Sequence, residues 1–123
     1  MKNVLLIGLH PRHVDFTDMP SMDEGALSAA LNAEEARLNS LGYRAAWCLI
    51  DTGETAETAI LERLRAERFD CILVGAGVRT LPVHFLLFER IINLLHMHAP
   101  QARLCFNTKP SDSAEAIQRR VLH

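Results

Sequence analysis

The chain is 123 residues long, 49% hydrophobic and 23% charged, with a formal net charge of −2 at pH 7. That length and apolar content suit one domain, residues 1–123, able to close its own core, and they exclude a disordered chain. The balanced charge leaves no basic footprint for nucleic acid or an anionic membrane surface, and the apolar run at residues 4–7 is too short for a signal-peptide core or a membrane span.

Residues 3–9 are nearly continuous in Val, Leu and Ile, as in a strand covered on both faces. From His10 to Pro20 no apolar period is visible, and this is the longest expected loop. Ser21-Met22-Asp23-Glu24 fits a capping box, in which a hydroxyl and a carboxylate answer free backbone N–H groups, so a helix is expected from Ser21. Ala26, Leu27, Ala30, Leu31 and Leu38 give it an apolar stripe, and Gly42 ends it. A strand over 44–50 follows, then a helix over 54–68 with Ala56, Ala59, Ile60 and Leu64 on one face. The strand over 70–75 runs into Gly75-Ala76-Gly77-Val78-Arg79-Thr80. A helix is expected over 81–98, with Thr80 as N-cap, Pro82 in the first turn and Pro100 as its stop. A strand over 103–107 precedes a last helix, capped near Asp112 and running to the terminus.

Strict alternation of strand and helix, with connections of this length, implies right-handed parallel crossovers and helices on both faces of a sheet. The expected architecture is a three-layer doubly wound α/β sandwich, with four parallel strands in the order 2-1-3-4 alternating with four helices. It resembles a flavodoxin-like or Rossmann-like fold cut to four strands. Cys48, Cys71 and Cys105 each fall inside a strand, with no C-x-x-C spacing, and read as buried thiols of a protein in the reducing cytoplasm.

In an open doubly wound sheet the ligand crevice lies beyond the carboxyl ends of the strands, where strand order reverses, and helix N-termini there favour anions. That edge gathers His10, Arg12 and His13 after the first strand and Asp51 after the second. It also gathers Gly75, Gly77, Arg79 and Thr80 after the third, and Asn107 and Lys109 after the fourth. These ten are the candidate ligand-binding residues. Two glycines at a strand-to-helix turn permit a close backbone approach, and an arginine such as Arg79 clasps phosphate or carboxylate with two parallel N–H groups. His10, His13 and Asp15 offer two imidazoles and a carboxylate to a metal, but no ligand set of known spacing is present, so no metal is assigned.

A dinucleotide site needs G-x-G-x-x-G after the first strand, where this chain has Gly8-Leu9-His10-Pro11-Arg12-His13, and neither a Walker loop nor a G-x-S-x-G elbow is present. Lys109-Pro110 resembles the Lys-Pro step of two-component receiver domains. His10-Pro11 and Gly75-Ala76-Gly77 stand, however, where receivers carry an acidic pair and a phosphorylated aspartate, which argues against receiver phosphotransfer. His96 and His98 belong to the far end of helix 81–98, at the opposite edge of the sheet from His10 and His13.

On a helical wheel Phe85, Leu87, Phe88, Ile91, Ile92, Leu94 and Leu95 cover roughly half the circumference, against about 100° for a one-sided surface helix. The excess is expected to form a homodimer interface through Phe85, Phe88, Ile92, Leu95 and their neighbours. The stretch from Phe69 to Lys109, with Val74-Gly75-Ala76-Gly77-Val78-Arg79-Thr80, His84-Phe85-Leu86-Leu87-Phe88-Glu89 and Cys105-Phe106-Asn107, looks like short bacterial α/β proteins of no assigned activity. That resemblance covers the last third to half of the chain and implies no catalytic residue, and it leaves the cofactor unknown. Three functions stand open. One is a non-catalytic or regulatory module binding a small anion at the crevice. Another is a small enzyme using His10 or His13 as general acid or base. The last is a protein-interaction subunit with a degenerate receiver-like fold.

Overall fold

The computed structural model describes residues 1–53 and 55–121. Strands β1 (Asn3–Leu9), β2 (Arg44–Ile50), β3 (Cys71–Val74) and β4 (Arg103–Phe106) form one all-parallel sheet in the order β2-β1-β3-β4. Five helices are described, α1 (Glu24–Ser40), α2 (Thr55–Ala66), α3 (Ala76–Arg79), α4 (Phe85–His98) and α5 (Ser113–Gln118). The strand order and the α/β sandwich are those expected from strand–helix alternation.

Side chains alternate across the pleat, so each central strand feeds two cores. Leu5, Ile7, Ile72 and Val74 meet Ile60 of α2 and Leu87, Ile91 and Leu95 of α4 on one face. Val4, Leu6, Leu73 and Cys105 meet Leu38 of α1 and Ala114 and Ile117 of α5 on the other. All three cysteines are free and buried, and the Sγ atoms of Cys71 and Cys105 lie 2.6 Å apart on neighbouring strands. Burial pushes the Cys48 thiol up, and the contact with Cys105 followed by burial does the same to Cys71.

Several helix ends depart from the sequence expectation. The N-cap of α1 is Asp23, whose carboxylate accepts from the Ala26 N–H at 2.7 Å, instead of Ser21. A carboxylate there adds favourable charge at the positive end of the helix dipole, which a serine lacks. Gly42, at φ 97°, follows the Leu41 cap as expected.

The single helix expected over 81–98 is divided. Gly75 caps the one-turn α3, and Thr80 is that helix's C-cap, its hydroxyl donating to the Ala76 carbonyl at 2.8 Å. Pro82 holds Leu81 extended, at φ −95° and ψ 132°, and opens a 3-10 turn over Pro82–His84, so α4 begins only at Phe85. Near the end of the chain Asp112 reaches back to accept from the Thr108 N–H at 3.0 Å and does not cap α5. The second helix stops at Ala66, short of 68, and the last stops at Gln118 instead of running on to the terminus; Glu54, Leu122 and His123 lie outside the described residues.

The outer edge of β2 is closed over its first two outward residues. Because the Arg44 N–H donates to the Lys2 carbonyl, strand alternation turns the backbone of Ala45 and Trp47 outward. The Asn39 amide takes both groups of Ala45 at 3.0 Å, Glu35 accepts from the Trp47 N–H at 2.9 Å, and Arg63 donates to the Trp47 carbonyl at 3.1 Å. Side chains of α1 and α2 thus occupy the positions another strand would need.

Candidate functional site

Strand order reverses between β1 and β3, and the two strands stay bonded up to Gly75, whose N–H donates to the Ile7 carbonyl at 2.8 Å. A Cβ on Gly75 would stand 3.2 Å from that carbonyl, so glycine permits the approach. A Cβ on Gly77 would meet nothing within 4 Å, so the second glycine serves no close contact with the protein. The ten expected residues all lie at this carboxyl edge, but in two groups that no hydrogen bond or ring contact joins among the described residues.

The first group follows β1 and β2. The His10 N–H donates to the Ile50 carbonyl at 2.9 Å, which ties the loop to β2. A 3-10 turn over Pro11–His13 then folds back, with His10 Nδ1 accepting from the Arg12 N–H at 3.2 Å. Arg12 Nε donates to His13 Nε2 at 3.4 Å, and the His10 and His13 rings meet edge to face at 6.5 Å. Asp51 faces this cluster from the end of β2. The Thr55 hydroxyl, bonded to it, holds its carboxyl below the usual range, and the Gly53 N–H and the charges of His13 and Arg12 act in the same direction. Those bonds tie Asp51 to Gly53 and Thr55 at the turn before α2, and among the described residues it orients neither imidazole.

The second group is a structural junction between α3 and the end of β4. Asn107 is 2% exposed; its Oδ1 accepts from the Ala76 N–H at 2.8 Å and its Nδ2 donates to Ser113 Oγ at 3.0 Å. The Arg79 guanidinium donates to the Asn107 carbonyl and lies over the Phe106 ring, 5.4 Å from its centroid, while its Nε is buried without a partner among the described residues. Lys109 is exposed, its N–H bonded to Asp112 at 3.4 Å. Phe106 and Ser113 were not foreseen as members of this junction, because only the β3–β4 register and the turn after β4 bring them to Arg79 and Asn107. Among the described residues no three His, Cys, Asp or Glu side chains are placed to hold a metal.

No protein-family model matches this chain, and none of the curated proteins compared with it does. Fold and function therefore rest on the residues themselves.

His98 lies where expected, at the opposite edge, beside a cleft of about 350 Å³ lined by Leu64, Arg68, Phe69, Ala99 and Gln101. A second concavity of about 350 Å³ runs between α4 and β4, walled by Phe85, Phe88, Ile92, Leu104 and Phe106. The Phe88 and Phe106 rings meet there edge to face at 6.3 Å. Leu95, expected at the partner surface, is 1% exposed and belongs to the core with Leu87 and Ile91, whereas Phe88 and Ile92 are half-buried and Phe85 is exposed. Among the described residues no helix is long and apolar enough to cross a membrane.

Proposed function

We propose that this chain is a non-catalytic, self-associating interaction module, a flavodoxin-like, Rossmann-like domain that works as a homodimer through the flank of α4. The observation that carries this reading is the apolar surface where α4 begins. Val83 is 79% exposed, Leu86 66%, Phe85 59% and Leu81 46%, and Phe85 is shared with the groove beside β4. Apolar surface of this kind marks an interface, and a two-fold pair is its commonest cover. Those four side chains supply on the order of half of the ~800 Å² that each partner buries in a standard interface. The buried free thiols suit the reducing cytoplasm.

Sedimentation velocity over a concentration series tests the reading. The expected result is a dimer whose dissociation constant rises roughly 30-fold or more in Phe85→Asp, the size of a hot-spot loss. A monomer at every concentration into the submillimolar range overturns it.

One observation favours a second activity for the same module. His10, Arg12 and His13 form a compact group of cationic and donor side chains at the carboxyl edge, and Arg12 and His13 are exposed. They suit a small anion such as phosphate. Inorganic phosphate is expected to raise the melting temperature of the protein, and Arg12→Ala to abolish the rise. No rise in the unaltered protein removes this activity. Arg79→Ala is the poorer probe, because that guanidinium already holds Asn107 and Phe106.

A further inference from the structure

The sheet has two outer edges, and side chains answer more of the outward backbone groups of β2 than of β4. Four side-chain hydrogen bonds, from Asn39, Glu35 and Arg63, cover Ala45 and Trp47 of β2, so that only Leu49 is left outward there without one among the described residues. On β4 the Arg103 N–H donates to the Asp70 carbonyl at 3.0 Å, so Arg103 and Cys105 turn their backbone groups toward β3 while Leu104 and Phe106 turn theirs outward. One outward group has a side-chain partner among the described residues. It is the Phe106 carbonyl, which accepts from Arg119 at 3.1 Å and keeps a second lone pair. The N–H groups of Leu104 and Phe106 and the Leu104 carbonyl carry no such seal.

Resting on the self-association reading above, we infer that β4 is the strand through which two copies of this chain pair. They meet antiparallel about a two-fold axis at Cys105, joining their sheets into one. In that register the Leu104 N–H of each copy donates to the Phe106 carbonyl of the other, and the Phe106 N–H donates to the Leu104 carbonyl. Every unsealed outward group is then answered.

The helix beside the strand completes the fit. A two-fold axis perpendicular to the sheet keeps both α4 helices on one face and sets them antiparallel. Cys105 stands about 7 Å up β4 from Arg103, and Ile92 about 9 Å up α4 from His98, so the axis passes level with the middle of α4. Ile92, on the wall of the groove, then meets Ile92 of the second copy at the axis. Glu89 and His96 lie on the same flank of α4 as Phe85, at helical spacing, and the antiparallel arrangement sets each carboxylate against the imidazole of the second copy.

The occupant follows from the shortness of the strand. Four residues offer too few main-chain bonds to hold a foreign strand alone, and short edge strands are a common guard against such pairing. Pairing here needs a second apolar contact at a fixed offset from the strand, and another copy of this chain brings one.

Amide hydrogen exchange read by NMR at high and low protein concentration tests the inference. The expected result is protection of the Leu104 and Phe106 amides that appears only in the dimer, with Ala45 and Trp47 protected equally at both concentrations. Leu104→Pro removes an N–H aimed away from β3 and leaves the ladder intact, so it is expected to raise the dissociation constant at least tenfold with an unchanged circular dichroism spectrum. If that variant fails to fold, exchange in the unaltered protein decides. A dimer whose Leu104 and Phe106 amides exchange as in the monomer overturns pairing through β4 and leaves the helix-flank reading standing. Protection already present in the monomer also overturns it, and a monomer throughout overturns both.

Discussion

Asn107→Ala is expected to destabilise the protein by about 2–4 kcal/mol, since a buried polar group left without its partner costs roughly 1–3 kcal/mol. The side chain is 2% exposed and serves two groups at once, accepting from the Ala76 N–H and donating to the Ser113 hydroxyl. Alanine strands the Ala76 donor at the first turn of α3 and leaves Ser113 with the Pro110 carbonyl alone. It also leaves a void beneath the turn that carries Arg79. Urea denaturation with an unchanged m-value is the measurement, together with faster amide exchange across residues 76–80. A loss below about 0.5 kcal/mol, the range of an ordinary surface substitution, would mean that Asn107 holds nothing together. Asn107 and Arg79 would then regain standing as ligand groups.

That expectation marks the boundary of what the sequence makes legible. The strands and their order follow from local pattern, because a continuous apolar run such as Val4–Ile7 must be covered on both faces and strand–helix alternation leaves few windings. The carboxyl edge follows from the same topology, and His10, Asp51, Gly75 and Asn107 all lie along it, in two separate groups. What each side chain does there was not legible, since the partners are far apart in the chain. Asn107 reaches Ala76 across 31 residues and Arg79 reaches Asn107 across 28. Neither spacing has a periodic signature, and Arg79 reads as a free cation until the β3–β4 register sets it over Phe106. The sealed edge of β2 is hidden for the same reason, because Asn39, Glu35 and Arg63 look like the exposed polar face of two helices. At α3 and α4 a local rule carries the difference. Pro82 forbids Leu81 a helical conformation, and that divides the helix expected over 81–98. The wheel of that helix gave the width of its apolar arc but not its centre, which lies at Ile91 and draws Leu95 inward.

Ile91 and Ile92 are therefore expected to respond in opposite ways to the same truncation. Ile91 is fully buried among the side chains between α4 and the sheet, and Ile91→Ala is expected to cost about 3–4 kcal/mol through lost burial and the cavity left behind. Its effect should be the same at every protein concentration. One residue further the helix has turned by 100°, and Ile92 lies half-buried on the wall of the groove facing β4. Ile92→Ala is expected to cost the monomer about 1 kcal/mol or less and to weaken self-association about tenfold or more, because the lost contact lies mostly with the second copy. Urea melts of both variants below the dissociation constant, with sedimentation above it, separate the two contributions, since a dimer adds stability only where it is populated. Equal losses for the two variants, with association unchanged in Ile92→Ala, would assign the groove wall to the core of one chain. In that case Leu81, Val83, Phe85 and Leu86 would remain as the exposed apolar surface where α4 begins. A concentration-dependent loss confined to Ile92→Ala would place the boundary between core and interface between two adjacent residues, where the helix turn puts it.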